Sequence, residues 1–418
     1  MEKSSANVNL AKIKEAAKRI QTVVMRTAVK PSMYLQNSVG LKTFLKLECL
    51  NISGSFKIRG ATNALLQALP EDLAKGVIAA SAGNHAQGVA HVCRRLNAKA
   101  TIFMPERTPL VKIEATRGLG GEVRLIGRTY DDAYAEALKF QQSYGGILIH
   151  PFADPEVICG QGTIALELLE QVEDLGAVIV PIGGGGMISG IACAIKESNP
   201  KIKVIGVQTE AYPAVKKSLE LGQVVTTPAA HTIADGIAVK HPSEHNFAMI
   251  QKFVDEVVLV SEESIAAAVM DLLERDHVVA EGSGAAPIAA LCSLAPSLRK
   301  TVGSRAVACI VSGGNIDVNL LRRITTKGLL YSGRLTRMSV MIEDRPGKLA
   351  ELLNIVSKAG GNLLEVYHNR VFNETHFDEV EVSLDVETIN RDHQQRLAKA
   401  LSDANMTFTM GEAARSPN

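Results

Sequence analysis

Apolar runs of four to six residues recur along the first three quarters of the chain, and between them apolar positions return every three or four residues. The first pattern marks buried strands and the second amphipathic helices. Strands are predicted over 43–47, 77–80, 100–104, 122–126, 146–150, 177–182, 203–208, 256–260 and 306–311. Helices are predicted between most of them, including 56–69, 84–96, 129–143, 188–196 and 261–276. Such alternation, with continuously apolar strands, predicts parallel sheets covered on both faces. The uncharged run 175–195 is long enough to imitate a membrane span. Pro181 and four consecutive glycines divide it instead into strand, loop and buried helix.

The pattern changes after Leu330. A strand at 338–342 meets an Asp344-Arg345-Pro346-Gly347 turn. Then come a helix at 348–359, strands at 363–372 and 379–386, a helix at 390–401 and a strand at 406–409. This βαββαβ order is ferredoxin-like. The expected division is a first domain over 1–322, a linker over 323–333 and a second domain over 334–412.

Composition narrows the function. A chain of 418 residues with 46% hydrophobic positions supports two or three domains. A net charge of +1 gives no electrostatic reason for nucleic acid or a membrane as partner. Six cysteines are scattered without a Cys-x-x-Cys pair, mostly in apolar runs, which points to buried thiols in a reducing cytoplasm. Met1 to Asn9 is polar and lacks the apolar core of a signal peptide. His241 and His245 have helical spacing, but Pro242 between them makes a loop, so no metal site is expected.

Four turns, each at the carboxyl end of a predicted strand, carry the chemistry. Ser53-Gly-Ser-Phe-Lys-Ile-Arg-Gly-Ala61 places Lys57 at a helix start, where open α/β sheets bind ligands. A lone helix lysine is ordinarily a solvated charge, so its meaning depends on the other three turns. Ser81-Ala82-Gly83-Asn84-His85 precedes a helix and offers N–H groups to a carboxylate, although it also reads as an ordinary turn. Gly183-Gly184-Gly185-Gly186-Met187 lets the backbone wrap a phosphate. It lacks the third glycine of a dinucleotide loop and the Lys-Ser/Thr of a nucleotide-triphosphate loop. Ser312-Gly313-Gly314-Asn315 brings a hydroxyl to a strand end, by itself common turn chemistry.

An amine, a phosphate cup, an Asn and a Ser are what pyridoxal phosphate requires. In order and spacing the four turns resemble the fold-type II pyridoxal phosphate enzymes, most closely the threonine/serine dehydratases. The likeness runs from about residue 20 to 319 and includes Thr232-Ile-Ala-Asp-Gly236 and Glu281-Gly-Ser-Gly-Ala285. It implies two lobes of parallel sheet, a small one over about 53–152 and a large one from the rest of 1–322, with the cofactor between them. It implies that Lys57 forms the Schiff base with Phe56 beside it, and that Asn84 meets the ring hydroxyl. Gly183–Met187 would hold the phosphate, Ser312 would meet the ring nitrogen, and Ser81–His85 would hold the substrate carboxylate. The activity implied is β-elimination of L-threonine, and of L-serine, with release of ammonia. Glu281 is a candidate active-site carboxylate or a structural one.

Residues 334–412 resemble the ACT domain, an amino-acid-sensing module. That likeness implies an effector near Asp344, Gly347 and Asn362, with isoleucine and valine as first candidates, and a homo-oligomer, dimer or tetramer. A dimerisation domain without ligand is the plainer alternative. Serine racemase is a rival reading of the first domain. Racemases of this kind resemble Ser-Ser-Gly-Asn-His where this chain has Ala82, and their metal carboxylates correspond to Gln208 and Ala214 here. A non-catalytic sensor that only binds the cofactor is a third reading. Threonine against serine preference remains open from sequence.

Overall fold

The computed structural model describes residues 8–369 and 378–411. Residues 1–7 of the polar N-terminus, 370–372 of the strand expected over 363–372, and residue 412 lie outside the described residues. The chain divides into two compact units, Met1–Asp317 and Val318–Asn418.

The first unit holds two sheets. The larger has six strands in the order Val29–Pro31, Thr43–Leu47, Ala306–Val311, Leu175–Pro181, Lys203–Thr209, Glu256–Val260. The smaller runs Gly121–Leu125, Ala100–Met104, Val77–Ala80, Ile147–Leu148. Every pairing is parallel except that of Val29–Pro31 with Thr43–Leu47. All nine predicted strands are present. Val29–Pro31 is additional, and three residues are too few to show a period. The helix expected over 56–69 stops at Leu65, and a second starts at Pro70. Pro70 holds Leu69 in extended backbone as the cap of the second helix, so residue 69 cannot belong to the first.

The uncharged run becomes a buried strand, Leu175–Pro181, and the helix Gly186–Ser198. No helix of the described residues is long and apolar enough to cross a membrane. The helix Gly186–Ser198 approaches the helix Pro155–Gln171 backbone to backbone. A Cβ on Gly190 would stand 2.3 Å from the Ile158 carbonyl oxygen, so only glycine permits that crossing.

The helix Lys57–Leu65 is pinned beneath the cleft by buried charge. Arg59 Nε meets Glu48 Oε2 at 2.7 Å and its Nη1 meets Glu167 Oε1 at 2.6 Å. Lys46 Nζ meets Glu167 Oε2 at 2.6 Å. Two cations and two carboxylates thus tie this helix to a large-lobe strand and to the helix Pro155–Gln171. The glycine pair Gly60 and Gly160 lets the two helices touch.

The second unit is an antiparallel sheet in the order Asn362–Asn369, Glu379–Glu387, Leu335–Glu343, Thr407–Met410, with helices Lys348–Lys358 and Arg391–Asp403. Val340, Val382, Leu352 and Leu397 form its core. The order is the ferredoxin-like one expected. The segment expected as linker differs: residues 323–331 belong to the helix Val318–Tyr331. Ile324 is its buried residue, and Gly333 in the left-handed region ends it, with Arg334 N–H donating to the Leu329 carbonyl.

Candidate active site

Lys57 opens its helix behind the Gly54 turn, and its Nζ donates to the Pro151 carbonyl at 2.8 Å. Burial brings its proton affinity down to about 8, with the Glu281 carboxylate acting the other way. The amine lies 5.1 Å from the centre of the Phe56 ring. The acceptor turn is itself fixed by His150, whose Nδ1 accepts from the Ala153 N–H at 3.0 Å. Burial, aided by the Lys57 charge, holds His150 down at about 4 and His85 at about 3, so both rings are neutral near neutral pH.

The Ser81–His85 turn lies between the strand Val77–Ala80 and the helix Asn84–Arg95. The first N–H groups of that helix have no partner one turn back and are available to an anion. Nothing stands within 4 Å of a Cβ built on Gly83, so space is open beside the turn. Ser81 Oγ accepts from the Gly83 N–H.

The glycine loop is walled by protein on its outer side. A Cβ on Gly184 would fall 2.4 Å from the Phe152 ring, and one on Gly186 2.6 Å from the Phe152 carbonyl oxygen. Gly185 has φ +91°. Gly183 faces the Gly236 carbonyl. Asn246 Nδ2 donates to the carbonyls of Gly184 at 2.7 Å and Phe152 at 2.9 Å. Met187 is the exception among the expected cofactor residues: its side chain lies in the large-lobe core, so only its backbone faces the loop.

The fourth turn joins the others. Ser312 is buried, and its carbonyl accepts from the Phe56 N–H at 3.0 Å. Asn315 Nδ2 donates to the Ser53 carbonyl and to Asn84 Oδ1, both at 2.8 Å. Asn84 Nδ2 donates to Glu281 Oε1 at 2.7 Å. An amide nitrogen carries two protons, so one is left over from this bond. Burial pushes the Glu281 carboxyl up to about 7, as does the Asp235 carboxylate, while Asn84, Lys112 and Lys57 oppose it.

The first unit therefore brings together Lys57, Phe56, Asn84, Glu281 and Ser312. Asn315, Asn246, Phe152 and the Pro151 carbonyl were not singled out as site residues in the sequence. Asn315 lies inside a recognised turn, but Asn246 has no local signal, because its partners are 62 and 94 residues away.

Residues on these segments suit a polar, phosphorylated aldehyde. Lys57 has a low proton affinity, and the glycine loop presents N–H groups. Ser55 Oγ, Ser283 Oγ and His85 Nδ1 are buried without a partner. A model of the pyridoxal-phosphate dependent enzymes matches residues 20–313. The chain belongs to that family. It is 46% identical to the L-threonine ammonia-lyase of Thermotoga maritima over 394 residues, 94% of this chain and 97% of that one. The processed form of threonine deaminase isoform 2 from Solanum lycopersicum superposes with TM-score 0.72 and 38% identity, over 76% of this chain and 86% of that one. Maize serine racemase superposes with TM-score 0.73 and 35% identity, over 77% and 98%.

The second unit has a cavity of about 340 Å³ lined by residues 342–347, Leu349 and His368. Asp344 and Gly347 are in its wall, as expected. Asn362 is not. It pairs with Glu387, level with Leu335, at the other end of the strand that runs to Glu343, about 25 Å away. There its Nδ2 donates to Glu387 Oε2 at 2.9 Å. On the strand Asn362–Asn369 it is His368, with Nε2 buried and unpartnered, that lines the cavity.

Proposed function

We propose that this enzyme deaminates L-threonine to 2-oxobutanoate and ammonia, and L-serine to pyruvate, by β-elimination. The observation that carries the reading is the buried amine of Lys57, held on the Pro151 carbonyl with a proton affinity near 8. The bound cofactor supplies an electron sink for charge left at the substrate Cα. Lys57 receives the α-proton at Nζ. The N–H groups of Ser81–His85 hold the substrate carboxylate, and Gly183–Met187 hold the phosphate. Ser312 offers the ring nitrogen a hydroxyl and no carboxylate. A hydroxyl at that position would not hold a proton on the ring nitrogen as a carboxylate would, which would limit charge storage and favour prompt elimination. His85 and His150 stay neutral and do not compete for the substrate carboxylate.

Likeness to a serine racemase favours a second reading, but the residues speak against it. Racemisation needs an acid on the ring face opposite the lysine, and Ala82 offers only a methyl group. Measuring 2-oxo acid formation from L-threonine and L-serine, with chiral analysis of the remaining serine, tests the assignment. Absence of 2-oxo acid from both substrates would overturn it.

For the second unit, an ACT-type regulatory role with an amino-acid effector at the Asp344–Gly347 turn fits the cavity of about 340 Å³ and the helix start there. Isoleucine and valine are the effectors to try first. The expected setting is a cytoplasmic homo-oligomer, dimer or tetramer. Six free thiols, four of them buried, support the reducing compartment in that expectation.

A further inference from the structure

We propose that Glu281 controls the charge behind the cofactor-facing amide of Asn84, and that the Lys112–Asp235 ion pair nearby sets how readily Glu281 gives up its proton. The inference rests on the placement of Asn84 at the cofactor ring.

Glu281 occupies the N-cap position of the helix Gly282–Val302, yet its side chain makes no capping bond. A carboxylate at a helix start ordinarily turns back onto its own N–H groups. This one turns into the cleft and accepts from Asn84. A glycine makes the room: a Cβ on Gly313 would lie 2.4 Å from Oε1. Asn84 cannot swing away, because Asn315 holds its oxygen and is itself held by the Ser53 carbonyl. Whatever charge Glu281 carries is therefore felt through a fixed amide.

The charged and titratable groups acting with Glu281 come from four elements. Lys57 comes from its own helix, Cys49 from the turn Glu48–Leu50, Asp235 from the turn Asp235–Ile237, and Lys112 from the helix Leu110–Gly118. Asp235 raises the proton affinity of Glu281, and Lys112 lowers it. These two belong to opposite lobes and form an ion pair at the cleft. With the pair formed, Lys112 offsets Asp235, and Glu281 releases its proton near neutrality. The charge behind Asn84 therefore changes as pH passes through neutrality.

The test is the visible absorbance of the holoenzyme, titrated across neutral pH without substrate. The wild type should show one inflection near neutrality. Glu281→Gln should keep the cofactor and lose the inflection, and Glu281→Asp should restore one. Lys112→Met should move it upward and Asp235→Asn downward, each by up to about one unit, a tenfold change in proton affinity. High salt should shrink both shifts. A second readout is the infrared difference between the holoenzyme at acid pH and at alkaline pH. It should show loss of a carboxylic-acid band that is absent in Glu281→Gln. An inflection that survives Glu281→Gln, or shifts of one sign in the two pair variants, would overturn the proposal. Failure of the wild type to show cofactor absorbance at all would instead overturn the reading of Lys57 and Asn84 on which it rests.

Discussion

Lys57 is reactive because it is buried beside a carbonyl and loses its proton more easily than a surface lysine. Lys57→Ala should abolish the visible absorbance of the lysine-bound cofactor and cut ammonia release by at least about 10³-fold. Normal turnover in that variant would remove the lysine from the chemistry. Ala82 makes a separate prediction. L-serine should give mainly pyruvate with little D-serine, and Ala82→Ser should raise D-serine only modestly, because a hydroxyl alone lacks supporting hydrogen bonds. Chiral chromatography decides this, and dominant D-serine from the wild type would refute it. Glu281 makes a third, through stability. Its folded-state proton affinity of about 7 lies above the ordinary carboxylate value. Folded protein thus binds the proton more tightly, and the stability it contributes is lost as pH rises through about 7. Glu281→Gln should therefore raise the unfolding free energy above neutral pH, by about a few kcal/mol at most, and with it the melting temperature, and change little in acid. Calorimetry at the two pH extremes checks the sign.

Among the elements, those with a complete period were legible in the sequence. Four- to seven-residue apolar strands announced both sheets, and the βαββαβ order of the second unit followed from its turns. Elements that lack a period were not. Val29–Pro31 is too short, and the helix Val318–Tyr331 mixes Arg, Thr and Lys with its apolar positions, so it resembled a connection. Site geometry was legible where one turn carries it, as at Lys57 and the glycine loop. It was hidden where distant segments meet. Asn362 looked close to Asp344 in the chain, but strand register carries it to the other end of the sheet, and His368 on the same strand lines the cavity instead. The Arg59 cluster was equally hidden, since its carboxylates are 11 and 108 residues away. Arg59→Met would leave Glu48 and Glu167 buried with Lys46 as the remaining cation of the cluster. It should cost about 3–5 kcal/mol, measured by denaturant unfolding. Arg59→Lys should recover only part, because an ammonium cannot span both carboxylates as the guanidinium fork does.

At the scale of the molecule, the boundary between units falls before the helix Val318–Tyr331. A cut after Ser332 would leave that helix on the catalytic unit, so truncation after Asp317 is the cleaner test of regulation. If isoleucine or valine binds two states of the full chain unequally, a coupling of ~1–3 kcal/mol changes apparent substrate affinity about 5- to 150-fold. Truncation after Asp317 and Asp344→Ala should each abolish that response, and His368→Ala should weaken it more than Asn362→Ala. A full-length enzyme that neither binds nor responds to any amino acid in a calorimetric panel would make the second unit an assembly element. The large sheet carries one further consequence at its Val29–Pro31 margin. That outermost strand is three residues long, carries Lys30 and ends in a proline that has no N–H to donate. A foreign extended peptide finds almost no template there, so concentrated refolding should be safer from fibril-like stacking along this border than a sheet ending in Thr43–Leu47 would be.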